Sequence, residues 1–69
     1  MALQYKRHAI VRMRERNISE AEVESCIQHH HTSYTDKKGN QIFIGDVNNR
    51  RIKVVVQKEN PRMIITAAD

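Results

Sequence analysis

The chain has 69 residues, a single cysteine and a formal net charge of +4, from twelve Lys/Arg against eight Asp/Glu. That length suits one thin-cored domain, since so short a chain buries only about 60% of the surface its unfolded form exposes. Cys26 alone excludes an intramolecular disulfide, no apolar run reaches the roughly 20 residues of a membrane span, and the lack of an apolar signal segment points to a reducing, cytoplasmic setting.

The basic balance favours polyanionic partners. Tyr5, Tyr34 and Phe43 are the only aromatic residues, too few for a platform of stacked bases.

The pattern changes near His31, from a helical period to that of strands. Residues Tyr5 to Arg16 read as a helix. At about 100° per residue Tyr5, Ala9, Ile10 and Met13 form an apolar stripe, with Arg7 and Arg14 opposite. His8, Arg12 and Arg16 are spaced i, i+4, i+8 and form a row bordering that stripe, where long basic side chains lie along packed surface. Asn17 suits the left-handed position that ends many helices. Ser19 is the expected N-cap of a second helix, with Glu22 completing a capping box and Ile18 and Val23 the hydrophobic staple. Val23, Cys26, Ile27 and His30 supply its inner face, and it should end near His29 or His30.

Strands follow. Ser33 to Asp36 is a short one, Lys37 to Asn40 a turn, and Gln41 to Val47 a strand with Ile42 and Ile44 on one face. Asn48-Asn49 accepts the positive φ values of a tight hairpin. In Arg51 to Lys58, Ile52, Val54 and Val56 alternate with Lys53, Val55 and Gln57. Glu59 to Arg62 is the next turn, and Met63 to Ala67 closes the sheet. Helices grouped before strands imply an α+β fold, with two N-terminal helices packed on one face of a three- to four-stranded antiparallel sheet. The other face is expected to carry Phe43, Lys53, Val55 and Thr66, a mixed surface suited to a partner or a second copy of the chain.

Three features bear on chemistry. His29-His30-His31 diverge by about 100° each on a helix and alternate on a strand, so they do not converge on one ion. No nearby cysteine or carboxylate spacing completes a site, so no metal or other cofactor is expected. Cys26 lies on the apolar face of its helix and reads as a buried small residue rather than a nucleophile. In the row His8, Arg12, Arg16, an imidazole can move protons near neutral pH, and guanidinium groups hold phosphates or stabilise a phosphorane-like transition state. Metal-independent RNA cleavage needs those two capacities, because the 2′-hydroxyl is the nucleophile. Arg50, Arg51 and Lys53 on the central hairpin would add positive charge across the same groove. The same row also reads as a solvated helix face, with Glu15 pairing Arg12.

The stretch His8-Ala9-Ile10-Val11-Arg12-Met13-Arg14-Glu15-Arg16-Asn17-Ile18-Ser19, followed by Val23 and Ile27, resembles a small family catalogued as a domain of unknown function, DUF family 4258. Ile52 to Val56 and Ile64 to Thr66 resemble its two closing strands, and Asn17 stands where the family has a glycine. That family is similar to the RelE and BrnT toxins, compact α+β ribonucleases paired with antitoxins. The resemblance implies a RelE/BrnT-like fold and a metal-independent endoribonuclease with His8, Arg12 and Arg16 as its catalytic residues. RNA and an antitoxin protein are the partners it implies, and Arg51 and Lys53 would help bind the RNA. The alternative is a non-catalytic RNA-, DNA- or protein-binding module, dimeric through the open sheet face.

Overall fold

Alternation along the longest strands sets two faces of one sheet. In β4 (Arg50–Val56), Ile52, Val54 and Val56 are all buried on one side. The computed structural model describes residues 2–69, and the other elements are β1 (Gln4–Tyr5), α1 (Arg7–Arg16), α2 (Glu20–Gln28), β2 (Thr32–Thr35), β3 (Gln41–Val47) and β5 (Met63–Ala68). The strand order is β1-β5-β4-β3-β2. Both helices pack on the Ile52–Val54–Val56 face, α1 against β5 and α2 against β3 and β4. Ala9 and Met13 of α1, Ile18 in the connection that follows, Val23 and Cys26 of α2, and Ile64 and Ala67 of β5 complete the core. Burying each Val or Ile contributes on the order of 1.5–3 kcal/mol. No helix among the described residues is long and apolar enough to cross a membrane.

The local signals for chain direction are realised in detail. Asn17 ends α1 in the left-handed region at φ 55°. Ser19 Oγ accepts the Glu22 N–H at 3.1 Å while Glu22 Oε1 accepts the Ser19 N–H at 2.9 Å, so the capping box is complete. Asn48 and Asn49 sit at φ 52° and 66°, the paired positive values that a two-residue hairpin turn needs. The second helix ends at Gln28 with His29 as its C-cap.

Three expectations are corrected. The described residues form five strands in a mixed sheet, not three or four antiparallel ones, because Gln4 and Tyr5 pair in parallel with Met63 and Ile64. The Tyr5–Ala9 spacing imitates a helical stripe, yet Tyr5 belongs to this strand and α1 starts only at Arg7. Phe43, expected on the open face, lies on the helix face, since it stands opposite Val54 in the β3–β4 ladder. Ile42 and Ile44 take the open face instead, opposite Val55 and Lys53. Gly45 explains this register. A Cβ there would stand 3.3 Å from both the Cys26 carbonyl oxygen and the His30 Cα, so its absence admits the end of α2.

Candidate functional site

Residues 6–16 hold five of the twelve Lys/Arg and only one of the eight Asp/Glu, which leaves seven of each elsewhere. The whole formal net charge of +4 therefore sits on α1 and its N-cap, Lys6. No acidic residue occupies the first turn of α1. Lys6 and Arg7 thus stand at the end of the helix where the dipole already disfavours positive charge, by roughly 0.3–1 kcal/mol per charge. That placement is unfavourable for the helix dipole, and an anion would be attracted to it.

The packing of α1 orients its side chains. Ala9 and Met13 point into the core, while Ile10 and Arg14 border a groove of about 450 Å³ between α1 and the start of α2. At about 100° per residue, His8, Arg12 and Arg16 then lie along the opposite flank, turned from α2. Val11 faces outward between the two flanks and is 47% exposed. His8 is exposed and has no hydrogen-bond or ion-pair partner among the described residues. Arg12 Nε stands 3.7 Å from Glu15 Oε1, and Arg16 Nη1 stands 3.7 Å from Asp69 Oδ1. Both are loose, solvent-screened pairs that a phosphate can displace.

The hairpin cations do not join this row. Arg51 and Lys53 alternate with the buried Ile52 and Val54, so they project from the sheet face opposite the helices. Arg51 Nε lies 3.5 Å from Asp46 Oδ1, and Lys53 is exposed opposite Ile44. The sheet separates these two residues from His8, Arg12 and Arg16, and no single groove holds both sets.

Arg50 faces the helices and is used internally. Its Nη1 donates to the Arg16 carbonyl at 2.9 Å and to Asp69 Oδ2 at 3.2 Å, and its Nη2 to the Asn17 carbonyl at 2.5 Å and to Glu22 Oε1 at 3.1 Å. One guanidinium thus ties the end of α1, the capping box of α2 and the end of β5 together. The Ser19 N–H, the Asn48 amide and Arg50 hold the Glu22 carboxyl well below its usual range, at about 2. Asp69 stands between the two cations, one oxygen 3.2 Å from Arg50 Nη1 and the other 3.7 Å from Arg16 Nη1.

Two further groups have perturbed chemistry. Tyr5 lines the α1–α2 groove, and its phenol oxygen is buried without a hydrogen-bond partner among the described residues. Burial, with Glu20 and Glu24 nearby, pushes its pKa up to about 12. Cys26 is fully buried, its Sγ donating to the Ile52 carbonyl at 3.2 Å. Burial pushes the thiol pKa up, which disfavours the nucleophilic thiolate. The His30 ring packs on Phe43 with centroids 4.8 Å apart, and His31 Nε2 stands 3.5 Å from Asp46 Oδ2, so the adjacent histidines serve different contacts.

Helical spacing alone finds the row of His8, Arg12 and Arg16. The confinement of the net charge to residues 6–16 is also readable from the sequence, by comparing charges segment by segment. Arg50 carries no such signal, because its carbonyl partners lie 33 and 34 residues away. No curated protein and no solved structure matches the chain. A family model described as a domain of unknown function (DUF4258) matches residues 5–69, and the chain belongs to that family.

Proposed function

We propose that the chain is a non-catalytic module that binds nucleic acid, RNA first among the polymers, through the phosphate backbone along the exposed surface of α1. The observation that carries this reading is the confinement of the net charge to α1 and its N-cap, including cations at its electrostatically unfavourable end. Arg7, Arg12, Arg14 and Arg16 supply charge-assisted hydrogen bonds to phosphate oxygens. The exposed surface of α1 carries no Phe, Tyr or Trp ring for stacking, only the His8 imidazole, and no Asn or Gln within the helix for reading base edges, so binding is largely sequence-tolerant. Polarisation of a labelled single-stranded RNA, with a DNA duplex beside it, tests this. Arg12→Gln with Arg16→Gln should weaken RNA binding about tenfold at low salt, and Arg51→Gln with Lys53→Gln should leave it unchanged. Equal losses in both pairs would contradict the reading.

A second reading, a toxin-like metal-independent endoribonuclease, draws on His8, which is exposed, unpartnered and one helical turn from Arg12. In that chemistry His8 takes the 2′-hydroxyl proton, the 2′-oxygen attacks the adjacent phosphorus, Arg12 and Arg16 stabilise the charge growing on the phosphate, and the P–O5′ bond breaks with the 5′-oxygen taking a proton from water, which leaves a 2′,3′-cyclic phosphate. Cleavage of RNA in the presence of a chelator, lost in His8→Ala, would replace the binding reading by this one. RNA left intact on long incubation with wild-type protein supports the binding module.

A further inference from the structure

A second groove, of about 660 Å³, lies on the helix face beyond the end of α2. Its floor is Ile27, Phe43 and Val56, and its rim is Gln41, Gln57, Lys58 and Arg62. It is separate from the row on α1 and owes nothing to it. The volume falls in the range of small-molecule sites, which are apolar with a few converging polar groups.

The polar groups have a definite character. No acidic side chain lines the groove, and neither Lys58 nor Arg62 takes part in an ion pair among the described residues. Two uncompensated cations on one rim call for an anion. Lys58 is held by construction. Its N–H donates to Asn40 Oδ1 at 3.2 Å, and its stem crosses Gly39, where a Cβ would stand 2.7 Å from Lys58 Cδ. The Arg62 N–H donates to Asn60 Oδ1 at 3.1 Å, and its carbonyl accepts the Gln4 N–H at 2.8 Å, so that side of the rim is pinned to β1.

The neutral groups narrow the occupant. The Gln57 carboxamide is unbonded among the described residues, and that of Gln41 has only a 3.4 Å contact from Thr35 Oγ1. Each offers a donor and an acceptor side by side, the pattern that matches an adenine edge. Phe43 supplies a π-surface to an aromatic ring, whereas an alkyl tail would leave both carboxamides unanswered.

We propose that this groove binds a free purine nucleoside monophosphate, its base against Phe43 between Gln41 and Gln57 and its phosphate between Lys58 and Arg62. Amide chemical-shift titration of the full chain tests this with adenosine monophosphate, adenosine, inorganic phosphate and octanoate. Adenosine monophosphate should bind with a Kd below about 1 mM, with shifts at Gln41, Phe43, Gln57 and Lys58. Adenosine, phosphate and octanoate should each bind at least about tenfold more weakly. Lys58→Gln and Arg62→Gln, both exposed and outside the core, should each weaken the nucleotide by about tenfold, and Phe43→Leu should remove the preference for the nucleotide over phosphate. Arg12→Gln should leave nucleotide binding unchanged, so failure here is distinguishable from failure of RNA binding on α1. Shifts that map to α1, octanoate binding as tightly as the nucleotide, or binding by a 5′-phosphorylated oligonucleotide but not by the free nucleotide would each overturn the proposal.

Discussion

Replacing Arg50 by Met removes four hydrogen bonds in one step while keeping much of the side chain's apolar stem. The carbonyls of Arg16 and Asn17 lie at an exposed helix end, where water takes over part of what is lost, so each bond is worth about 1 kcal/mol rather than a full desolvation penalty. The pair with Asp69 is partly screened and adds about 0.5 kcal/mol. Glu22 keeps the Ser19 N–H and the Asn48 amide, which do more than Arg50 to hold its charge. The expected loss is therefore about 2–3 kcal/mol, a large part of the roughly 3–10 kcal/mol typical of a domain this size. In a urea titration followed by far-ultraviolet circular dichroism, the midpoint should fall with the slope unchanged. The thermal midpoint should fall by about 10–20 °C. Arg50→Lys should recover less than half, because one ammonium cannot span two carbonyls and two carboxylates in the fork geometry. A loss below about 0.5 kcal/mol, the range of ordinary surface substitutions, would refute the clamp and return Arg50 to the pool of exposed cations.

Other expectations follow from the same geometry. Because the Glu22 pKa is lowered from 4.5 to about 2, its contribution is present above pH 4.5 and is lost as pH falls toward 2. Glu22→Gln should accordingly flatten the fall of the urea midpoint across that acid window, and an unchanged profile would contradict the assignment. Gly45→Ala should destabilise by about 1 kcal/mol, since the methyl meets helix backbone rather than a movable side chain; a stabilised variant would deny the close approach of α2. The Cys26 thiol should resist a disulfide reagent in the native protein at neutral pH and react only at the rate of unfolding, whereas prompt labelling would show that the α2–sheet contact opens.

The parts of the fold legible in the sequence are those whose causes are local. Ser19 and Glu22 satisfy each other within one helical turn, Asn17 and the Asn48-Asn49 pair tolerate positive φ by their own chemistry, and the alternation in Arg50–Val56 sorts one strand's faces unaided. β1 was not legible, because two residues carry no period and Tyr5 falls on the helical spacing of Ala9 and Met13. The facing of β3 misleads for a related reason. Ile42 and Ile44 look more like a core pair than Phe43 and Gly45, and only the approach of α2 over the bare Gly45 backbone decides between them. At the site, helical spacing aligns His8, Arg12 and Arg16. Whether Arg51 and Lys53 reach the same side depends on which sheet face α1 covers, a property of the assembled fold and not of either segment.

The salt dependence of RNA binding tests the central claim most directly, because it counts displaced counterions and so the phosphates engaged. With Arg7, Arg12, Arg14 and Arg16 each meeting one phosphate, the plot of log K against log salt on single-stranded RNA should have a slope near about −3, at about −0.7 per contact. Each Arg→Gln change on α1 should reduce its magnitude by about 0.7, and Arg51→Gln or Lys53→Gln should not alter it. A slope near zero, or one that falls with the changes at Arg51 and Lys53 but not with those on α1, would contradict a phosphate-binding role for this helix.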